Sequence, residues 1–193
     1  MKSTAILILA AGSASRMGKT KQLLPYRETT LLGHSISQAL ASKADSVYCV
    51  LGAQAELIEK EMHSKVKFII NENWEYGLSS SIAAGIRYLK TKDCNSVLVM
   101  LADQPKIDSV YLNLLLDYSI ENPTKCIASG YGAKNGVPAV FPKSYFDILE
   151  KLNGDQGAQQ LLNSETNVVI TINAKDKVED IDTPEDYNRL LKK

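Results

Sequence analysis

The sequence predicts an α/β protein whose mostly parallel β-sheet is covered by helices on both faces, a three-layer α/β/α arrangement. Continuous apolar runs such as residues 5–11 are typical of strands that are buried on both sides. These runs alternate with segments in which apolar residues recur at helical spacing, and four strand–helix pairs follow one another along the chain. Because parallel strands are usually connected through helices, this alternation indicates a Rossmann-like sheet.

The first strand is predicted at residues 4–10 and is followed by a turn-rich segment. A last helix is predicted to begin at Thr183, because Pro184 occupies the first helical position and Asp186 lies three residues after the cap. Two apolar runs on either side of a glycine-bearing turn predict a small β-ribbon insertion at residues 126–141. The other predicted strands are residues 46–51, 66–70, 96–101 and 168–172, and the other predicted helices are residues 31–41, 55–62, 79–89, 109–118, 145–152 and 158–162.

Length and composition indicate a single domain over residues 1–193, with 45% hydrophobic and 23% charged residues. The 22 basic and 22 acidic residues cancel, so no overall field attracts nucleic acid or an anionic membrane. The first apolar run is too short to span a bilayer and has no evident signal-peptidase site, so we expect a cytoplasmic protein. Cys49, Cys94 and Cys126 are isolated, which favours buried or incidental thiols over a zinc site or disulfides.

The segment LAAGSASRMGKTK, residues 9–21, follows the first strand at the edge of the sheet where open α/β sheets place their ligands. Its small residues let the backbone approach a phosphate chain, and Arg16 and Lys21 supply cationic hydrogen bonds, which suits a triphosphate. The alternative is a solvated glycine turn with stray basic residues. Neither a dinucleotide loop nor a Walker A loop fits, since Gly12 and Gly18 are one residue too far apart and Ser13 replaces the first Walker glycine.

Asp103 ends the buried strand at residues 96–101 and is expected to project into the same cleft. Mg²⁺ prefers oxygen ligands and often takes one or two carboxylates together with substrate phosphates, so one aspartate at this edge is sufficient. A helix-capping or turn aspartate is the equally simple alternative. His34 and His63 lie in helical stretches and match no motif, so they receive no catalytic role.

Three further segments can be explained by helix capping alone. Serines at the end of residues 71–81 can cap the following helix beside a partly buried Trp74. Residues 153–158 form a turn with Asp155 near a helix start, and the acidic residues of 180–186 complement the dipole of the last helix. Residue types alone leave this capping interpretation open.

The segment LAAGSASRMGKTKQLLP closely resembles the LAAGxSxRMGxxKxLLP signature of the molybdenum cofactor cytidylyltransferases within the MobA-like nucleotidyltransferase family. Ala14 departs from that pattern, in which Ser is common, but it keeps the small size. Further motifs follow in the order of the family: N-x-x-W-x-x-G-x-x-S-S at residues 71–81, DQP at 103–105, GxPxxF at 136–141, GDxGA at 154–158 and DIDTPEDY at 180–187. The resemblance thus spans nearly the whole chain.

The resemblance implies a nucleotidyltransferase fold of the nucleotide-diphospho-sugar transferase type. It implies transfer of CMP from Mg-CTP to the phosphate of molybdopterin or molybdenum cofactor, with release of pyrophosphate. Mg²⁺ is the expected cofactor, with Mn²⁺ as the alternative, and a recipient molybdoenzyme is an expected partner. The resemblance further implies that the LAAG sequence of residues 9–12, in place of LAGG, indicates a cytosine nucleotide instead of a guanine nucleotide.

The resemblance also assigns roles to individual residues. It implies catalytic roles for Arg16, Lys21 and Asp103, and metal binding by Asp103 and Asp182, with Asp182 favoured over Asp180. The implied nucleotide-binding residues are Leu9, Ala10, Ala11, Gly12, Ser13, Arg16, Lys21, Asn71, Gly77, Ser80 and Ser81. The implied acceptor-binding residues are Gly136, Pro138, Gly154, Asp155 and Gly157.

Three other functions remain open at this stage. A related enzyme could activate another phosphate monoester, such as a sugar phosphate or methylerythritol phosphate, with a pyrimidine triphosphate. A non-catalytic maturation chaperone could carry the cofactor and use the nucleotide as a regulator. A Walker-type ATPase is the poorest match, for the spacing reasons given above.

Overall fold

The computed structural model describes residues 3–62, 65–155, 157–166 and 168–192. His63 and Gln156 of the GDxGA motif lie outside the described residues. The strands are β1 (Thr4–Leu9), β2 (Pro25–Tyr26), β3 (Thr29–Thr30), β4 (Ser46–Leu51), β5 (Lys67–Ile70), β6 (Ser96–Leu101), β7 (Cys126–Tyr131), β8 (Lys134–Pro142) and β9 (Val169–Asn173). The helices are α1 (Leu31–Leu40), α2 (Ala55–Glu61), α3 (Leu78–Leu89), α4 (Ser109–Glu121), α5 (Phe146–Glu150), α6 (Gln159–Leu162) and α7 (Pro184–Leu191).

Seven strands form one sheet in the order β5-β4-β1-β6-β8-β7-β9. The strand β1 is an interior strand of this sheet, in parallel register with β4 and β6. The pairs β4–β5 and β7–β9 are also parallel, whereas β8 is antiparallel to both β6 and β7. The mostly parallel α/β sheet is therefore confirmed.

The predicted β-ribbon is present as the hairpin of β7 and β8, but it is not an insertion outside the sheet. Residues 96–99 of β6 pair with residues 139–142 of β8, so the hairpin extends the main sheet and carries β9 on its far side. The segment predicted as turn-rich contains a second, two-stranded sheet of β2 and β3. Strands of two residues are too short to produce a periodic hydrophobic pattern.

The side chains of β1 alternate between the two faces of the sheet, and each face has its own hydrophobic core. Ile6 and Ile8 pack with α1 and α4, whereas Leu7 and Leu9 pack with α3 and α5. Burying a side chain of this size contributes about 1.5–3 kcal/mol. The two cores account for the three layers that the apolar runs predict.

Gly85 allows α3 to lie close against β1. A Cβ atom at this position would come within 2.3 Å of Cδ2 of Leu7, so a side chain here would push the helix away from the sheet. The three cysteines are buried, as predicted. Burial raises the pKa of Cys126 to about 11, so its thiol stays protonated at neutral pH.

The last helix, α7, begins with the predicted capping arrangement. The side chain of Thr183 accepts a hydrogen bond from the Asp186 amide, and Asp186 Oδ2 accepts one from the Thr183 amide at 2.9 Å. Ile181 lies just before this cap and packs in a small core with Tyr26 and Leu31. These contacts hold the chain before α7 against the β2–β3 hairpin and bring it to the carboxyl edge of the main sheet.

His34, predicted to have no catalytic role, is buried on α1. Its Nε2 lies 3.1 Å from the carbonyl oxygen of Pro105, which connects α1 to the loop after β6. Among the described residues, no helix has the length and apolar character needed to cross a membrane.

Candidate active site

A cleft of about 510 Å³ opens at the carboxyl ends of β1 and β6. Parallel strands end at the same edge of a sheet, so the loops that follow β1 and β6 meet there. Leu9, Ala10, Ala11 and Gly12, which are among the predicted nucleotide-binding residues, line the cleft. Apolar walls are added by Leu31, Trp74, Leu78 and Leu101.

Four charged side chains from distant parts of the chain converge in this cleft. Lys21 Nζ lies 2.6 Å from Asp103 Oδ2 and 3.1 Å from Asp182 Oδ1. Arg16 Nη2 lies 2.9 Å from Asp182 Oδ2. The fold therefore brings the predicted catalytic residues and the favoured metal aspartate into one cluster.

The position of Lys21 between two carboxylates sets its charge. Burial by itself lowers the pKa of Lys21, but the attraction and hydrogen bonds of Asp103 and Asp182 together outweigh it, and the pKa lies above its ordinary value. Lys21 therefore remains an ammonium ion at neutral pH, although only 13% of its side chain is exposed. The Arg16 guanidinium pairs with Asp182, and 69% of the Arg16 side chain is exposed, so this group can also reach a ligand in the cleft.

The carboxylates of the cluster fit a divalent cation. Asp103 Oδ1 is buried and has no hydrogen-bond partner among the described residues, which leaves one hard oxygen ligand unused. Asp182 supplies a second carboxylate close to the same ammonium group. Within the described residues, no group of three or more acidic, His or Cys side chains could hold a metal by itself. These two carboxylates could hold a divalent cation only together with ligands from outside the protein, such as phosphate oxygens and water.

The loop after β1 is held in shape by Gln22, which the sequence did not identify. Its buried side chain donates from Nε2 to the carbonyl oxygens of Ala10 (2.8 Å) and Gly12 (3.0 Å). Ala14 and Gly18 both adopt left-handed backbone conformations, with φ of 51° and 62°. Ser13 is exposed at the rim of this loop. Gln22 stands between the polar residues 19–21 and Leu23, so the local sequence gives no signal that its side chain is buried.

The N-x-x-W motif of residues 71–81 forms part of the wall of the first cleft and also holds that wall in place. Gly77 and Ser81 line the cleft. Asn71 is buried behind them, and its Nδ2 donates to Ser80 Oγ at 2.8 Å and to Ser81 Oγ at 3.1 Å. Ser80 Oγ in turn donates to the Gly77 carbonyl at 2.8 Å. Asn71 and Ser80 therefore brace the start of α3, while Gly77 and Ser81 form the surface that a ligand would meet.

A second cleft of about 410 Å³ adjoins the first and shares Leu9, Leu78, Leu101 and Asp155 with it. Of the predicted acceptor residues, Gly136 and Asp155 line this cleft. The other three lie in its supporting layer: Pro138 is buried in β8, Gly154 accepts a hydrogen bond from the Ser79 amide, and Gly157 packs against Leu78.

Asp180 and Asp182 belong to different clefts. Asp182 lines the first cleft beside Lys21, whereas Asp180 lines the second, where its Oδ1 accepts a hydrogen bond from Gln104 at 2.8 Å. The enclosing walls and the nearby Asp103 raise the pKa of Asp180, although its side chain still faces the open cleft. The Ile181 amide donates to the Asp103 carbonyl at 3.0 Å and fixes the segment between the two clefts.

Comparison with known proteins identifies the family. Residues 6–169 match the model of the MobA-like NTP transferase domain. The chain belongs to the MobA-like NTP transferase family. It is accordingly a member of a nucleotidyltransferase family, with the three-layer Rossmann-like fold of these enzymes.

Three curated relatives cover nearly the full length of this MobA-like NTP transferase. Purine catabolism protein PucB of Bacillus subtilis is 29% identical over 95% of this chain and 94% of its own. Nicotine blue oxidoreductase of Paenarthrobacter nicotinovorans is 30% identical over 96% and 95%. The molybdenum cofactor cytidylyltransferase of Escherichia coli is 28% identical over 97% and 95%.

Among solved structures, this MobA-like NTP transferase is similar to Rv0371c from Mycobacterium tuberculosis H37Rv. The TM-score is 0.89 at 29% identity, covering 100% of this chain and 98% of that one. The structure of Rv0371c in complex with manganese gives a TM-score of 0.84 at 27% identity, covering 99% of both chains. Rv0371c, which shares this architecture, therefore binds manganese.

Proposed function

We propose that this protein transfers CMP from Mg-CTP to the phosphate of molybdopterin or molybdenum cofactor. One observation carries the proposal: Arg16, Lys21, Asp103 and Asp182 converge beside a loop of small residues at the end of β1. Cations and a carboxylate pair of this kind suit a triphosphate that arrives with a divalent ion. The E. coli relative, a molybdenum cofactor cytidylyltransferase, supports the choice of nucleotide and acceptor.

The chemistry proposed is an in-line displacement at the α-phosphorus of CTP. An oxygen of the acceptor phosphate forms the new P–O bond as the bond to the β-phosphate breaks, and pyrophosphate leaves with the electron pair. No general base is required, because the attacking phosphate is already ionised. Arg16 and Lys21 neutralise charge on the leaving group, and the apolar walls of the cleft exclude water. Asp103 and Asp182 would hold a Mg²⁺ ion, and the ion would neutralise charge on the phosphate oxygens.

A panel of nucleotides and acceptors tests the proposal directly. Purified protein is incubated with CTP, GTP, UTP or ATP and with molybdopterin, methylerythritol phosphate or a sugar phosphate, and pyrophosphate and product mass are measured. We expect a cytidine–pterin pyrophosphate adduct from CTP and molybdopterin. Pyrophosphate from another acceptor alone would replace the proposal with a different nucleotidyl transfer. Tight molybdopterin binding without any pyrophosphate would identify a carrier protein.

Nucleotide binding is expected to depend on the divalent metal. The first cleft is lined by the cations Arg16 and Lys21 and by the carboxylates Asp103, Asp155 and Asp182, so two positive charges oppose three negative ones. A strongly anionic triphosphate is not attracted to such a site unless a metal accompanies it. Calorimetry should therefore show CTP affinity falling by at least about 10-fold when EDTA replaces Mg²⁺.

Cytidine serves as the matched control for metal dependence, because it lacks the phosphates. Its weak binding should be the same with Mg²⁺ and with EDTA. Equal affinity for CTP under both conditions would contradict the assignment of Asp103 and Asp182 to a metal.

A further inference from the structure

The back of the second cleft contains a polar side chain to which neither the motifs nor the relatives assign a role. Gln104 follows Asp103 directly, is 1% exposed and borders this cleft. Its Nε2 donates to Asp180 Oδ1 at 2.8 Å and to the Tyr131 hydroxyl at 3.0 Å. The hydroxyl of Tyr131 donates in turn to the Val137 carbonyl. The amide group is therefore fixed on its donor side by two different elements.

The acceptor side of the same amide is unused. Gln104 Oε1 is buried and has no hydrogen-bond partner among the described residues. A buried carbonyl oxygen without a donor is unfavourable, and such atoms in folded proteins call for an explanation. Gln104 lines the second cleft, so a ligand bound there can place a donor beside this oxygen.

Asp180 adds a second acceptor beside Gln104. Its carboxylate faces the second cleft, and none of the ion pairs found among the described residues involves it. Since Gln104 Nε2 occupies part of Oδ1, the remaining acceptor capacity of the carboxylate is available to a ligand. Gln104 Oε1 and the unused acceptor capacity of Asp180 therefore lie side by side, which favours a ligand that presents neighbouring N–H groups.

The second cleft also offers an apolar surface to a ligand. Leu9, Leu78, Ile82, Leu101 and Val137 contribute to its lining, next to the polar residues Lys134, Asp155 and Gln159. The shared residues Leu9, Leu78 and Leu101 place this surface next to the nucleotide cleft, so a ligand bound there can reach the metal cluster with an attached phosphate. A planar heterocycle with N–H groups along one edge satisfies both the apolar surface and the two acceptors.

On the basis of the proposed function, we propose that Gln104 is a specificity-determining residue for the acceptor. Its Oε1 and the carboxylate of Asp180 accept hydrogen bonds from the N–H groups on the edge of the pterin ring. Gln104 thereby selects a phosphate ester that carries a nitrogen heterocycle over one that carries only hydroxyl groups. Tyr131 is a positioning residue, because its hydroxyl fixes the Gln104 amide and does not need to touch the ligand.

Gln104→Met tests the inference, because Met has a similar length and keeps the apolar contacts. We expect the KM for molybdopterin to rise by about 10- to 100-fold, while the KM for CTP changes less than about 2-fold. The matched control is Gln160→Met, because Gln160 is exposed on α6 and is not among the residues that line either cleft. Both KM values should stay unchanged in this variant. Thermal unfolding of each variant checks that the fold is intact.

Asp180→Asn provides a second variant in case Gln104→Met does not fold. Its amide oxygen can still accept from Gln104, so we expect a smaller rise in the KM for molybdopterin, about 3- to 10-fold, with an unchanged Mg²⁺ requirement. A raised Mg²⁺ requirement would instead make Asp180 a metal contact and overturn its role here. If wild-type protein forms no cytidine–pterin adduct, the proposed function itself fails. If the wild type forms the adduct and Gln104→Met or Asp180→Asn keeps the wild-type KM for molybdopterin, only the inference on Gln104 fails.

Discussion

Asp103→Ala is expected to lower kcat by about 1000-fold while weakening CTP binding by less than about 10-fold. Its Oδ1 is the buried oxygen without a partner among the described residues, and its Oδ2 pairs with Lys21. Removing both oxygens eliminates the proposed metal contact nearest to β6, whereas the loop after β1 and the cation Arg16 remain to hold the nucleotide. Steady-state pyrophosphate release gives kcat, and calorimetry gives the affinity for CTP.

The matched control for Asp103 is Asp117, which also forms an ion pair with a lysine but lies on the surface. Lys43 Nζ is 2.8 Å from Asp117 Oδ2, and the side chains are 59% and 46% exposed. Exposed pairs contribute about 0–1 kcal/mol, so Asp117→Ala should retain wild-type turnover. Unchanged turnover in Asp103→Ala would remove Asp103 from the metal site and the proposed mechanism with it.

Lys21→Ala is expected to weaken CTP binding by about 10- to 100-fold and to lower kcat by about 100-fold. Among the described residues, the Lys21 ammonium group is the one cation that pairs with both Asp103 and Asp182, so its loss leaves Asp103 without a cation and Asp182 with Arg16 alone. Both binding and turnover therefore suffer, in contrast to Asp103→Ala. The same two assays separate these patterns.

Lys43→Ala is the control for Lys21, since it removes a lysine from an exposed ion pair. Lys21→Arg adds a further comparison, because a planar guanidinium cannot occupy the small space between two carboxylates in the same way as an ammonium group. We expect Lys21→Arg to recover affinity for CTP better than turnover. A Lys21→Ala variant with wild-type affinity for CTP would show that Lys21 serves only to pair the two aspartates.

The secondary structure could be predicted well wherever the hydrophobic pattern is local and complete. The strand predicted at residues 96–101 coincides with β6, and the helix predicted at residues 79–89 differs from α3 by one residue at its start. The hairpin of β2 and β3 was not predicted, because strands of two residues have no period to detect. The place of β8 in the sheet was also missed, since a hairpin sequence does not specify which strand it pairs with.

Candidate site residues could be predicted when they follow a buried strand. The loop after β1 and Asp103 after β6 were identified this way, and the parallel register of the two strands brings them together. Gln22 and Gln104 were not identified, because their importance comes from buried amide groups that meet backbone or side-chain partners across the fold. Sequence shows that a residue is polar, but it does not show whether its partners are water or protein.

The sequence by itself determined the α/β class, and it predicted a phosphate-binding loop after β1 from the small and basic residues there. Only the tertiary structure decided which of Asp180 and Asp182 lies beside Lys21, and it placed them in different clefts. The two aspartates are equivalent in local pattern, since they stand two positions apart in an acidic segment with Ile181 between them. Their separation is set by the hydrogen bond from the Ile181 amide to the Asp103 carbonyl and by the packing of Ile181, contacts between parts of the chain that are distant in sequence.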